Sequence, residues 1–209
     1  MFIKCADAKS EDLYKILIGS VVPRPIAWVS SQGKNGADNL APFSFFNCFG
    51  VHPPMVGFAP AWKEIEHTTG GADVRVPKDT MKNIQETGEF VVNIVSRSVA
   101  EQMNLTSAAF AADVDEFQRA NLTKEPSQFV APPAVREALI NYECKLIQLL
   151  QHGNNNLVIG EIVAMRIADH IINDRFHIDG DGLDAVGRLG GNWYATTRDK
   201  FELRRPKAD

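Results

Sequence analysis

Apolar positions along this chain recur mostly with a period of two or in short unbroken runs, the spacing of strands. Pro23 and Pro25 impose an extended backbone, and Ile26–Ser31 (IAWVSS) follows as a β-rich run. Gln32–Asp38 (QGKNGAD) predicts a turn, and strand-like pieces near 43–49 and 55–59 flank the rigid pair Pro53-Pro54. Glu89–Val95 (EFVVNIV) reads as a buried strand. The clearest hairpin comes late: Tyr142–Gln151 alternates, with Tyr142, Cys144 and Leu146 on one side, HGNNN turns, and Leu157–Ala168 returns. That returning run is apolar on both faces, as in a closed barrel covered from outside.

Helical spacing is confined to three stretches. Ser10 is placed to cap a helix over 11–19 that stops at Gly19; Met81 and Ile84 give the inner side of a helix over 80–87 stopped by Gly88; a third is expected over 98–112. Residues 60–78 read as irregular, with Pro60, Gly70, Gly71 and Pro77, and 113–133 as loop-rich. Turns at Asp179–Gly182 and a short strand near Asn192–Thr196 close the chain. The expectation is one domain over 1–209, mainly β with peripheral helices, carrying an excursion at 60–78.

Composition adds exclusions. With 209 residues, 44% hydrophobic and 23% charged, the chain can bury a sizeable core. A formal net charge of -4 gives no long-range attraction to nucleic acid or to an anionic membrane, though a local basic patch could hold one phosphate. Three scattered cysteines, Cys5, Cys48 and Cys144, suggest neither a disulfide framework nor a metal site, and Cys48 reads as a buried filler. The polar N-terminus is no signal peptide and no apolar run approaches the roughly 20 residues of a membrane span, so a cytoplasmic location is expected.

Two segments carry candidate chemistry. Asn39-Leu40-Ala41-Pro42-Phe43-Ser44-Phe45-Phe46-Asn47 is apolar and aromatic, yet interrupted by small hydrogen-bonding residues. A flat heteroaromatic ligand needs this mixture of apolar wall and placed donors, and Pro42 marks an edge where backbone groups are free. Polar residues capping turns would look the same. Lys78-Asp79-Thr80 opens a helix whose N-terminus, with Arg75 just upstream, could take a phosphate. An ordinary Asp79 cap is the more common reading of such a segment. Ser30 and Ser31 could reach a phosphate arm or merely enter a turn, and Arg24 stands stiffly between two prolines as a phosphate ligand or a surface charge. Asp179–Gly182 lacks the spacing of a calcium loop, and GxGxxG, Walker and GxSxG motifs are absent.

The runs PRPIAWVSSQGKNGADNLAPFSFFN, HPPMVGFAP and KDTMKNIQETGEFVVNIV, with the later pieces YECKL, VIGEIV and RLGGNWY, resemble the flavin reductase-like family. The resemblance spans roughly residues 20–197. It implies a six-stranded antiparallel FMN-binding split barrel, a homodimer, and one FMN per subunit. By position, Asn39, Ala41, Pro42, Ser44, Phe45 and Asn47 would line the flavin ring. Ser30 and Ser31 would serve the ribityl–phosphate arm, and Arg24, Lys78, Asp79 and Thr80 the phosphate. The implied activity is NADH- or NADPH-dependent hydride transfer to bound FMN, with no side chain given a catalytic role and a monooxygenase or electron-acceptor protein downstream. A flavoredoxin-like electron carrier, or a non-catalytic module holding flavin or haem, fits the same resemblance. The 60–78 excursion, with Trp62, Glu64, Glu66 and His67, is longer than that family leads one to expect; the expectation is that it folds over the flavin mouth.

Overall fold

The computed structural model describes residues 1–67, 73–153 and 155–206. In chain order its strands are β1 (Arg24–Pro25), β2 (Ala27–Gln32), β3 (Asp38–Phe43), β4 (Phe46–Val51), β5 (Pro54–Phe58), β6 (Trp62–His67), β7 (Asp73–Pro77) and β8 (Glu89–Ile94). They continue with β9 (Lys124–Glu125), β10 (Ala134–Val135), β11 (Ile140–His152), β12 (Asn155–Ile167), β13 (Val186–Arg188) and β14 (Tyr194–Thr196). The α-helices are α1 (Ser10–Ser20), α2 (Asp79–Thr87), α3 (Ala100–Leu105), α4 (Glu116–Arg119) and α5 (Gly180–Leu183).

Seven strands form one antiparallel sheet in the order β3-β2-β8-β11-β12-β5-β4. Its two edge strands, β3 and β4, are separated in sequence only by Ser44 and Phe45. Three Cα steps reach at most about 11 Å, whereas a flat sheet of this width would hold its edges about 29 Å apart. The sheet therefore curls until its edges meet. Since β3 and β4 do not pair, the result is a barrel with an open seam at the Ser44–Phe45 bend.

β2 shows why the central strands are apolar throughout. Ala27 and Val29 join Phe43, Phe58, Phe90, Val92 and Cys144 in one core cluster, while Ile26 and Trp28 join Leu40, Val99, Met103 and Phe117 in a second. Both faces of the strand are thus covered. Phe43, Phe58 and Phe90 stack through the first cluster at centroid distances of 5.0 and 5.6 Å. Gly160 on β12 is required there: a Cβ would lie 2.4 Å from Phe90 Cζ. On the other face Trp28 donates its indole N–H to Thr106 Oγ1 (2.9 Å), and buried Asn93 donates to the Trp28 carbonyl while accepting from Val135 N–H and Asn141 Nδ2.

Several expectations change. The run near 43–49 is two strands broken at Ser44–Phe45, so the sheet has seven strands against the six implied by the resemblance. The irregular 60–78 segment contains a β6–β7 hairpin, because short apolar–polar alternation at 74–76 outweighs its Gly and Pro residues; 68–72 lie outside the described residues. Its described contacts run to the β11–β12 turn, where the Arg75 guanidinium donates to the Gly153 carbonyl. The helix over 98–112 ends at Leu105, as Thr106 turns its hydroxyl back onto the Met103 carbonyl. Ser10 is the first helical residue of α1 and makes no cap bond. Cys48 is exposed, because β4 is an edge strand, and only Cys144 is buried; burial pushes the Cys144 thiol well above its ordinary range.

Candidate functional site

β3 is an edge strand, and its free side is one wall of a long groove. Leu40 N–H points away from β2 and is accepted by Glu116 Oε2 at 3.1 Å, which fixes α4 beside the strand. Pro42 has no N–H to leave unpaired on that side. The middle of the groove is lined by Asn39, Ala41 and Pro42, faced by Ala108, Ala109 and Phe110 from the turn after α3. Apart from Asn39, the residues of this section are apolar.

The N-terminus of α2 closes one side of the same section through Lys78, Asp79 and Thr80. Lys78 is the N-cap residue and its side chain caps nothing. The first-turn N–H groups of α2 thus lack the usual side-chain acceptor. Thr80 Oγ1 accepts from Asn39 Nδ2 (2.8 Å), which ties the helix to β3 and leaves the threonine hydrogen with no acceptor among the described residues. Donors of this kind, with one lysine, suit an anion of phosphate type.

The groove continues in both directions. Asn39 and Asp79 also line a section formed by the Gly33–Asn35 turn, Lys82 and Asn83. In the other direction Pro42 and Ser107 border a section lined by Arg24, Ser44, Arg188 and Tyr194. Burial raises the Glu116 carboxyl above the ordinary carboxylate range, the Leu40 N–H opposing this and Asp115 and Asp79 adding to it.

The structure brings Asn39, Ala41, Pro42, Lys78, Asp79 and Thr80 together around one groove, with Arg24 and Ser44 at its far end. Arg24 is buried, and its guanidinium donates to the carbonyls of Ile18, Val21 and Leu189. Ser31 lies beneath the groove, its hydroxyl accepting from Asn83 Nδ2 at 3.1 Å. Ser30 points to the opposite face and donates to the Pro133 carbonyl. Phe45 and Asn47 sit around the seam, beside Leu17, Val21 and Phe46.

Residues 18–180 match the family model of the flavin reductase like domain. The chain belongs to that family. A curated relative from Aquifex aeolicus, itself uncharacterized, is 36% identical over 95% of this chain and 96% of its own length. Among solved structures, nitrilotriacetate monooxygenase component B from Bacillus cereus superposes with a TM-score of 0.89 at 33% identity, covering 97% of this chain and 98% of that one. The 2-nitrobenzoate 2-nitroreductase NbaA of Pseudomonas fluorescens gives 0.84 at 34% identity, covering 99% and 96%. The seamed barrel is the FMN-binding split barrel of this flavin reductase-like family, whose members bind FMN and include enzymes.

Sequence reasoning missed Glu116, the Ser107–Phe110 turn, Arg188 and Tyr194. The turn was hidden inside an expected helix, and Glu116 carries no local signal. Arg188 and Tyr194 stood in a block, RLGGNWY, already similar to the flavin reductase-like pattern, but only the fold places them against Arg24.

Proposed function

We propose that the chain holds one FMN along the β3–α2 groove and that NADH or NADPH reduces it by hydride transfer. The observation carrying this reading is the uncapped start of α2, with Lys78 and Thr80, set across one groove from the apolar free side of β3. The phosphate would be held by the α2 first-turn N–H groups, the Thr80 hydroxyl and Lys78, with Asp79 alongside. The ring would lie against Ala41 and Pro42, facing Ala108–Phe110, with Ser44, Phe45 and Asn47 toward the seam. Arg24, Ser30 and Ser31 would then support the groove from behind, holding its walls through their bonds to the protein. FMN supplies the redox chemistry when bound, and this chain's residues position it and keep water from one face.

The likeness to a monooxygenase component supports a role as the reducing partner of an oxygenase. A homodimer is favoured by the exposed apolar side chains that this sheet carries: Phe49 (58% exposed) and Val51 (91%) on β4, Ile147 and Leu150 on β11, and Val163 and Met165 on β12. The free cysteines suit the cytoplasm. No described helix is long and apolar enough to cross a membrane.

Anaerobic stopped-flow mixing of the FMN-loaded protein with NADH or NADPH tests the enzyme reading. Bleaching of the flavin absorbance at turnover rates is expected. Bleaching only by a protein reductant would make the chain an electron carrier instead.

A further inference from the structure

The small sheet β1-β13-β14 has an unpaired edge, because β14 is its outer strand. Leu189 N–H donates to the Trp193 carbonyl (2.9 Å), so the next pair along, Arg188 with Tyr194, is a non-bonded pair, and Val186 with Thr196 is another. Val186 accordingly donates away from β14, to the Val95 carbonyl (2.9 Å). The N–H and C=O groups of Tyr194 and Thr196 therefore point outward and meet no backbone partner among the described residues. All three residues of β14, with Val186, wall a cavity of about 380 Å³ that Ala100, Glu101 and Asn104 of α3 close from the opposite side. The Tyr194 hydroxyl donates to Asn104 Oδ1 (3.1 Å), which puts the Tyr194 side chain on the α3 side of the sheet; Thr196, two residues on, shares that side. An edge and cavity of this kind fit an extended segment with apolar side chains at every second position.

The chain's own tail carries such a segment. The backbone turns over Thr197–Asp199, and Phe201-Glu202-Leu203 follows with Phe201 85% and Leu203 83% exposed. A four-residue loop over 197–200 is a common hairpin connection, and it would pair Phe201 with Thr196, Glu202 with Ala195 and Leu203 with Tyr194. Paired residues share a face, so this register sets both apolar side chains over the cavity and Glu202 on the other side. In this structure the tail is drawn toward α5 instead, by Arg198–Asp184 (2.7 Å) and Lys200–Asp181 (2.6 Å). The cations of both pairs are exposed, and such pairs contribute little beside the burial of a phenylalanine and a leucine. We propose that Phe201–Leu203 is a strap that closes as a strand on the free edge of β14 and fills the cavity beneath it. Tyr194 lines both this cavity and the far section of the groove, where its hydroxyl accepts from Arg188, so closure fixes that wall of the groove from behind. The strap does not depend on what the groove holds.

Amide hydrogen exchange followed by NMR on the full chain tests this. The Tyr194 and Thr196 N–H groups should exchange about tenfold or more slowly than in a Phe201→Ser, Leu203→Ser double variant, and nuclear Overhauser contacts should link Leu203 to Tyr194. Lys200→Gln, which removes one tie to α5, should keep or increase that protection. Equal exchange in the wild-type and doubly substituted proteins would overturn the proposal. Protection lost in Lys200→Gln would also overturn it, by assigning the order of this edge to the ion pair. Protection that rises with protein concentration would overturn it as well, by making the occupant the tail of a second copy.

Discussion

Replacing Gly160 by alanine should destabilise the barrel through one contact. The added Cβ would sit 2.4 Å from Phe90 Cζ and 2.8 Å from Cε1, with the Lys145 carbonyl at 3.3 Å on its other side. Ordinary contact begins near 3.4 Å, so the ring must retreat by about 1 Å. Phe90 is fully buried and packs edge-on to Phe58 at 5.6 Å, which leaves it no space. Overpacking of this kind costs about 1–3 kcal/mol. For a chain of this length each kcal/mol lowers Tm by about 2–4 °C, so a fall of roughly 2–12 °C is expected. Urea denaturation and calorimetry measure it. Gly19→Ala in α1, where a Cβ meets nothing within 4 Å, is the control and should not destabilise. Phe90→Leu in the Gly160→Ala background should cost less than the two changes added separately. A Gly160→Ala protein melting at the wild-type temperature with an unchanged m value would refute the packing argument.

Lys78→Gln should weaken FMN binding by about 1–2 kcal/mol, roughly five- to thirtyfold, less so at high salt, because Lys78 is solvent-exposed; riboflavin, which lacks the phosphate, should bind both proteins equally in a fluorescence titration. Glu116→Gln should become more stabilising relative to wild type as pH rises. The folded carboxyl has a raised pKa, so the stability of its protonated form is complete below the ordinary carboxylate range and is lost as pH climbs through the folded value. Melting curves of both proteins from pH 4 upward would show a constant difference if Glu116 were unperturbed. Asn93→Ala should cost about 3 kcal/mol in denaturant, since it strands the Trp28 carbonyl, the Val135 N–H and the Asn141 amide inside the core.

Strands flanked by strong turn formers were legible in the sequence, and so was the 3.6-period side of α2. Ile26–Ser31 reads as a buried strand because both of its faces are apolar up to Val29, and the structure packs one cluster on each. The Ser44–Phe45 break was not legible. Its cause is closure of a sheet whose edges lie far apart in strand order, which no local window contains. For the same reason the flavin reductase-like motifs pointed to β3 and α2 but not to Glu116, Arg188 or Tyr194. Those side chains reach the groove from segments remote in sequence, and their relevance appears only when Leu40 and Arg24 are seen to face them. Ser30 and Ser31 show the converse: adjacent in sequence, they point to opposite faces of one strand and bond to different segments, Pro133 and Asn83.

An FMN site in the β3–α2 groove requires the chain to bind FMN by its phosphate as well as its ring. Titration of the purified chain with FMN, followed by quenching of flavin fluorescence, tests it most directly. One FMN per chain, bound more tightly than riboflavin and weakened selectively by Lys78→Gln, is the expected result. Flavin fluorescence that is unchanged on adding protein, or a Lys78→Gln variant that loses FMN and riboflavin alike, would contradict it.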